Sequence, residues 1–577
     1  MTPGAPAGVV YFVPIFQDGF PFLCPSTPFP RSSVSSRPWP GSPHRAPRPC
    51  WWRCCASFLY ISIKFSNLGL TKFTGGFTLI LAFALILGSC LLIGGKVPEG
   101  RFARKDTGTL WLLAFVVTGL LSTVLSLSPV SSLWGLGGYY GGFALVAITA
   151  LGYLCIRAFA SARDISFLFF GVGVTASIVT VLYVLNIFNI DLIGSYRDTA
   201  VVERAQFFST LGQKDFNAGF FAIVLPIVFY AWLKARGRAQ NIVYGIPMVF
   251  GGLALAVVDA EALTLGVVAA AMILVCHKDF DTRMVRRGAL IGLAFFAWAA
   301  WMHYMRETVY TQGGRSLLSH FGDLQLAVPG MVFCALVWAV LNWRARRGKP
   351  ERSLYKVGRV MTAVTVGAVA VLFLLANLWP GLPSLGKLDN FLVFNDDWGT
   401  YRGTGWRAAW GTWWDASLWR KVVGYGPGTM HKAMVNWAGD ALTDRMNTFY
   451  AAHNEYLEQL LTTGILGLAA WLGFVGVHLR RGFAAWARPG VAPVLLALCS
   501  YLVQAVVSIR VSMLFPLVMV LFALLWVLSA PGKAAEPVPA GPVNRAGAVR
   551  YGKITLCAVA AMALSAPLSH LVLWFLF

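Results

Sequence analysis

Long apolar runs recur along the chain from residue 74 onward, separated by mostly short polar segments. A transmembrane helix needs about 20 consecutive apolar residues, and we count about fourteen such runs, or 13–15 with the ambiguous ones. The pattern predicts an all-α polytopic integral membrane protein. It excludes a transmembrane barrel, whose strands alternate apolar and polar residues. The predicted spans are 74–95, 108–128, 139–157, 165–187, 216–233, 242–258, 262–277, 288–305, 322–343, 358–379, 454–478, 491–508, 512–530 and 555–577.

Composition supports the same class. Hydrophobic residues make up 57% of the 577 and charged residues only 12%, which leaves too little polar surface for a soluble enzyme with one membrane anchor. Six of the ten cysteines lie in or at the ends of predicted spans, so we expect no disulfide framework. Cys50, Cys54 and Cys55 have no matching Cys/His pair at zinc spacing, so we expect no metal site.

The net charge of +23 follows from membrane topology. In a soluble protein it would suggest a nucleic-acid partner. Here the basic residues concentrate in alternate loops, at 96–105, 234–238, 278–287, 344–352 and 480–488. The positive-inside rule places these loops in the cytoplasm. We therefore expect no nucleic-acid binding.

The polar segments divide the chain into regions. Residues 1–55 are rich in Pro, Ser and Arg and lack a periodic apolar face, which indicates disorder or a start codon assigned too far upstream. Between the first group of spans (56–379) and the second (454–530) lies an external loop, 380–453, which is unusually long. Loops of such length are usually functional. A flexible cytoplasmic linker, 531–552, then precedes the last span, 553–577.

His453 stands where the long loop re-enters the membrane. At the membrane surface a histidine is exposed to water on one side and enclosed by protein on the other. This environment suits a general base with a pKa near neutrality. Asn454, the next residue, is expected to cap the following helix. Nine residues separate Asn454 from Gly464, and two more separate Gly464 from Gly467.

This spacing resembles the signature of the O-antigen ligase and O-antigen polymerase family, membrane glycosyltransferases that use polyprenyl-diphosphate-linked glycans. In span layout the resemblance covers about residues 74–530. Three further elements are similar to the family's motifs: Arg402 to Trp406 followed by Arg407, the glycine-rich turn Gly424 to Thr429, and Thr210 to Phe216.

The resemblance implies an inverting transfer without metal or cofactor. His453 would remove the proton from an acceptor hydroxyl, and Arg402 with a second cation would stabilise the departing diphosphate. Arginine suits the latter role because its guanidinium binds phosphate oxygens in a bidentate manner. Further candidates for substrate binding are Arg407, Arg197, Arg204, Lys214, Arg510, Asn454, Gly426, Gly428 and Trp406.

Two assignments stay open at this stage. The glycine-rich turn presents backbone N–H groups to phosphates or sugar hydroxyls, or it is only a tight turn. The tryptophans of the loop, Trp406 among them, stack on sugar rings or anchor the loop at the membrane interface.

The sequence departs from the family pattern at one position. Where the family usually carries an arginine in a Ser-Arg-Gly-like element, the chain has Asp259 and Glu261. Carboxylates there repel a diphosphate. Another cation such as Arg204 or Arg510 must supply the second charge, or the two acids serve another step, or activity has been lost.

The predicted function is transfer of a glycan from a polyprenyl diphosphate carrier to a glycan, lipid or protein acceptor of the envelope. The resemblance implies a multi-pass protein of the bacterial inner membrane, in contact with membrane lipids, with its active site facing outward. One alternative is a polymerase of the same family. The others are a transporter of lipid-linked sugars and a catalytically silent scaffold.

Overall fold

The computed structural model describes residues 106–135, 141–159, 162–188, 190–192, 207–209, 211–258, 260–308, 318–379, 384, 386–438 and 451–530. Some parts of the prediction lie outside these residues. They include the segment 1–55, the spans 74–95 and 555–577, the linker 531–552, parts of the external loop (380–383, 385 and 439–450), Arg197, Arg204, Thr210 and Asp259.

Helices dominate the described chain. They are α1 (Thr107–Val124), α2 (Pro129–Trp134), α3 (Phe143–Phe159), α4 (Ala162–Ile187), α5 (Lys214–Lys234), α6 (Arg238–Val257), α7 (Glu261–Val275), α8 (Thr282–Thr308), α9 (Leu324–Arg346), α10 (Tyr355–Leu378), α11 (Asp389–Leu392), α12 (Trp398–Trp414), α13 (Leu418–Val423), α14 (Met430–Ala438), α15 (Glu455–Ala484), α16 (Val491–Gln504) and α17 (Phe515–Leu528). Two strands of two residues each, β1 (Phe207–Phe208) and β2 (Gly212–Gln213), pair antiparallel before α5.

Seven of the described helices are long and apolar enough to cross a membrane, and five shorter apolar helical stretches of 10–17 residues accompany them, one of which (171–187) is part of the 26-residue α4. Each predicted span between residues 108 and 530 coincides with one of these helices. The described architecture therefore agrees with an all-α polytopic membrane protein. The predicted total of about fourteen spans is not confirmed, because two predicted spans lie outside the described residues and four of the described helices, α3, α7, α16 and α17, are shorter than a full bilayer crossing.

The core lies around α16 and α17, which are apolar and buried on nearly all sides. A helix that is hydrophobic all round belongs inside a bundle. Helices α5 and α7 pack on α16, and α1 packs on α15. Small residues allow close approach between helices: a Cβ on Gly266 of α7 would lie only 2.7 Å from the carbonyl oxygen of Ser500.

Helices α9 and α10 differ from the core helices. Within their most apolar 18-residue windows only 6% and 0% of the residues are buried. Apolar side chains that protein does not cover are the expected surface of a lipid-facing helix. The chain runs from α10 into the segment that carries the candidate catalytic residues, which contains α11 to α14.

Candidate active site

The start of α15 is fixed by Asn454. Its side-chain oxygen accepts hydrogen bonds from the backbone N–H groups of Tyr456 and Leu457, both at 3.0 Å. This satisfies two of the N–H groups that a helix leaves without partners at its first turn. The predicted helix cap is confirmed.

His453, the residue before this cap, has a left-handed backbone with φ 50°. A non-glycine residue in that region costs about 1–2 kcal/mol and is held there only by its surroundings. Its Nδ1 lies 3.2 Å from the carbonyl oxygen of Ala451. A carbonyl only accepts, so this hydrogen bond assigns the hydrogen to Nδ1 and leaves Nε2 as the basic nitrogen.

Burial of the ring lowers the pKa of His453, and the positive charge of Arg402 lowers that pKa further. The carboxylate of Asp215 and the hydrogen bond to Ala451 act in the opposite direction. The net result favours a neutral imidazole, which is the form that a general base requires.

Asp215 was not among the predicted site residues. It lies in the first turn of α5, inside the Thr210 to Phe216 element that resembles the family. The resemblance covers the whole element and does not indicate which of its residues is functional, so it does not identify the carboxylate. The fold brings this carboxylate close enough to influence His453, although 238 positions separate the two residues.

The pH dependence of turnover tests this electrostatic arrangement. As pH falls, kcat/KM is expected to persist below the ordinary histidine pKa of about 6.5 and to decline only at lower pH, since a lowered pKa keeps the base neutral there. Asp215→Asn is expected to move this decline to still lower pH, because Asp215 raises the pKa. A midpoint at or above 6.5 in the wild type would contradict the arrangement.

Arg402 is the fifth residue of α12. Its Nη1 donates a hydrogen bond to the carbonyl oxygen of Gly399 at 2.5 Å. Its Nε is buried and has no hydrogen-bond partner within the described part of the chain. A buried donor without a partner is costly, so such a group calls for an explanation, and a bound anion would supply one.

Helices α12 and α14 meet the start of α15 in a small apolar cluster, and this packing brings Arg402 toward His453. The buried members of the cluster are Ala408, Ala409, Met430, Met434, Ala452 and Leu461.

The other predicted residues have the following positions. The guanidinium of Arg407 forms a half-exposed ion pair with Asp396 at 2.9 Å. Lys214 is the first residue of α5. The ring of Trp406 lies 5.2 Å from that of Trp398, and its Nε1 is buried without a partner among the described residues. Arg510 forms a buried ion pair with Glu455, in which its Nε lies 2.7 Å from Oε1 of the carboxylate.

The signature glycine Gly464 breaks α15. Its φ of 67° and ψ of −172° are accessible essentially to glycine alone. The break exposes the carbonyl oxygens of Leu461 and Thr462, which accept the N–H groups of Tyr425 (3.1 Å) and Gly426 (2.8 Å). The glycine-rich turn is thereby bound to the broken helix.

Three glycines allow this contact. A Cβ on Gly464 would lie 2.2 Å from the carbonyl oxygen of Val422, and a Cβ on Gly424, whose φ is 84°, would lie 2.3 Å from that of Thr462. At Gly426 the φ is 109°. For the N–H groups of Tyr425 and Gly426, the geometry favours a tight turn over phosphate binding.

A small cavity lies between this turn, α1 and the first turns of α15. It encloses about 30 Å³, enough for one or two water molecules. Gly428, Glu455, Glu458, Gln459, Thr462 and Arg510 line it, among others. One oxygen of Glu458, Oε2, is buried without a hydrogen-bond partner in the part of the chain that the structure describes.

Asp259 and Glu261 stand where the family usually has an arginine, and only Glu261 lies within the described residues. Glu261 is the first residue of α7. A carboxylate at a helix N-terminus is stabilised by the unpaired N–H groups there. This gives Glu261 a structural reason to be acidic and leaves the second cation to be found elsewhere.

Comparison with known proteins gives one match. Residues 325–472 match the family model described as O-Antigen ligase. No curated protein matches the chain. The matched stretch contains Arg402, the glycine-rich turn, His453 and both signature glycines. Over residues 325–472 this chain is therefore similar to the O-antigen ligase family.

Proposed function

We propose that the protein transfers a glycan from a polyprenyl diphosphate carrier to a hydroxyl group of an envelope acceptor. The O-antigen ligase domain supports membrane glycosyltransferase activity of this type. The observation that carries the proposal is the proximity of Arg402 and His453. The arginine holds a buried Nε donor without a partner among the described residues, and its charge favours the neutral imidazole.

In the proposed reaction, Nε2 of His453 accepts the proton of the acceptor hydroxyl. The oxygen attacks the anomeric carbon as the bond from that carbon to the diphosphate breaks, which inverts the configuration. The bonding electrons leave with the diphosphate, and Arg402 stabilises the charge that develops there. No step requires a cofactor.

A second cation is needed because a diphosphate carries more charge than one guanidinium neutralises. Arg407 and Arg510 are paired with carboxylates. We propose Lys214, which precedes Asp215 in the first turn of α5, on the helix end that faces His453. Its ammonium acts as a point charge toward phosphate oxygens.

We further propose that the site faces the outside of a bacterial inner membrane. The support is the charge pattern of the loops. The basic residues Arg344 and Arg346 end α9, and Arg481 lies in the last turn of α15, the end opposite His453. Cytoplasmic loops carry such residues.

Arg402→Ala is expected to lower release of free polyprenyl diphosphate about 100-fold, since one charged donor to a departing oxyanion contributes roughly 10²–10³ in rate. Arg402→Lys should have less than one tenth of the wild-type activity, because lysine cannot form the bidentate contact with phosphate oxygens. The measurement is diphosphate release from a lipid-linked oligosaccharide by purified protein in detergent with EDTA. Arg346→Ala, at the exposed end of α9, is the control and should match the wild type.

Other outcomes of the same assay distinguish the alternatives. A polymerase consumes a second lipid-linked glycan as acceptor and gives lengthened chains on the carrier. A transporter moves the lipid-linked donor across proteoliposomes without releasing diphosphate. A silent scaffold does neither, and release that is indifferent to Arg402 would contradict the proposed mechanism.

A further inference from the structure

A buried ion pair connects the start of α15 to the turn between α16 and α17. Nε of Arg510 donates to Oε1 of Glu455 at 2.7 Å, and the two side chains are 11% and 2% exposed. The second oxygen of Glu455 accepts the hydroxyl hydrogen of Tyr501 at 2.8 Å. Nη2 of Arg510 donates to Oε1 of Gln459 at 2.8 Å. Both carboxylate oxygens of Glu455 are therefore occupied within the protein.

The backbone is joined at the same place. The N–H of Glu455 donates to the carbonyl oxygen of Ala505 at 2.9 Å. The hydroxyl of Tyr456 donates to the carbonyl oxygen of Leu502 at 2.7 Å. The first turn of α15 is thus attached to α16, which is one of the most buried helices described.

The residue that precedes this attachment is the strained one. His453, two positions before Glu455, holds a left-handed backbone with φ 50°. Such a conformation persists only where the surrounding structure imposes it. The Asn454 cap fixes one side of His453 to the helix, and the Glu455–Arg510 pair fixes that helix to the bundle.

We propose that Glu455 and Arg510 are positioning residues whose ion pair holds the His453 imidazole at the reacting hydroxyl. The inference rests on the proposed role of His453 as the base. Arg510 then acts through Glu455 and makes no essential contact with the diphosphate. The charges around it fit this role, because Glu455 neutralises the guanidinium and Glu458 lines the same cavity.

The test uses Glu455→Gln, Arg510→Gln, the double variant and Arg510→Lys in the full-length protein. Each single glutamine variant is expected to lower kcat about tenfold or more with KM changed less than about twofold, because positioning acts on the chemical step. The double variant should be no slower than either single variant, since both break one unit. Arg510→Lys keeps a cation beside Glu455 and should retain most activity.

A second readout does not depend on turnover. Neutral imidazoles react with diethyl pyrocarbonate, so the pH dependence of modification at His453, followed by mass spectrometry, reports its pKa. Arg402 and Asp215 face His453 and are unchanged in all four variants. If the ion pair is lost, the ring becomes more accessible to water. The midpoint should then rise toward the ordinary value of about 6.5.

The outcomes separate the two proposals. A raised modification midpoint in both single glutamine variants, without any diphosphate release by the wild type, would support the positioning role and overturn the proposed function. Unchanged kcat and midpoint in either single variant would overturn the positioning role. A raised KM in Arg510→Gln but not in Glu455→Gln would assign Arg510 to the substrate instead.

Discussion

His453→Gln is expected to lower kcat by about 10²–10⁴-fold, the contribution typical of a positioned general base. Glutamine retains a side-chain amide that can donate to the carbonyl oxygen of Ala451, so the loss reports the missing basic nitrogen rather than a missing hydrogen bond. KM should change little, because the proton moves only in the transition state.

The measurement is diphosphate release under single-turnover conditions, with the folded state of each variant checked by its elution from a sizing column in detergent. His277→Gln is the matched control. His277 is also partly buried and interacts with a carboxylate, that of Asp279 at 3.7 Å, but it lies beyond the far end of α7. Activity of His453→Gln within about fivefold of the wild type would remove this residue from the chemistry.

Gly464→Ala is expected to destabilise the protein by roughly 3 kcal/mol or more. Alanine does not adopt the backbone angles of Gly464, and its Cβ would meet the carbonyl oxygen of Val422 at 2.2 Å. The backbone must shift, which breaks the hydrogen bonds from Tyr425 and Gly426 to α15. Thermal unfolding in detergent measures the loss.

Gly476→Ala provides the control within the same helix. A Cβ at Gly476 meets nothing within 4 Å, and alanine favours a helix over glycine by about 0.5–1 kcal/mol. This variant should be as stable as the wild type or slightly more stable. If both substitutions had equal effects, the break at Gly464 would not be a structural requirement.

The helices that coincide with predicted spans between residues 108 and 530 could be predicted because each depends on one continuous apolar run. The number of membrane crossings could not, since helices such as α16 and α17 are shorter than a bilayer and gain their stability from burial. The cap at Asn454 was also predictable, because it depends on one residue and the helix that follows it.

Contacts between distant parts of the chain could not be read from the sequence. The spacing of Gly464 after His453 marks a motif, yet the reason for the glycine is a turn near Val422 that packs against it. Arg510 stood out as a lone cation between two spans, whereas its partner Glu455 precedes it by 55 positions. Without the fold, no pattern connects such pairs.

The position of the break in α15 also determines the depth at which His453 lies relative to a bilayer. The part after the break, 465–484, has 20 residues, and at 1.5 Å per residue it is about 30 Å long, which matches the hydrocarbon core. The nine residues 455–463 add about 13 Å. A headgroup layer is only about 5–8 Å thick, so in the proposed orientation His453 lies at the outer, aqueous edge of the lipid headgroups. A lipid-linked donor would then present its diphosphate just below the imidazole while its polyprenyl tail stays among the acyl chains.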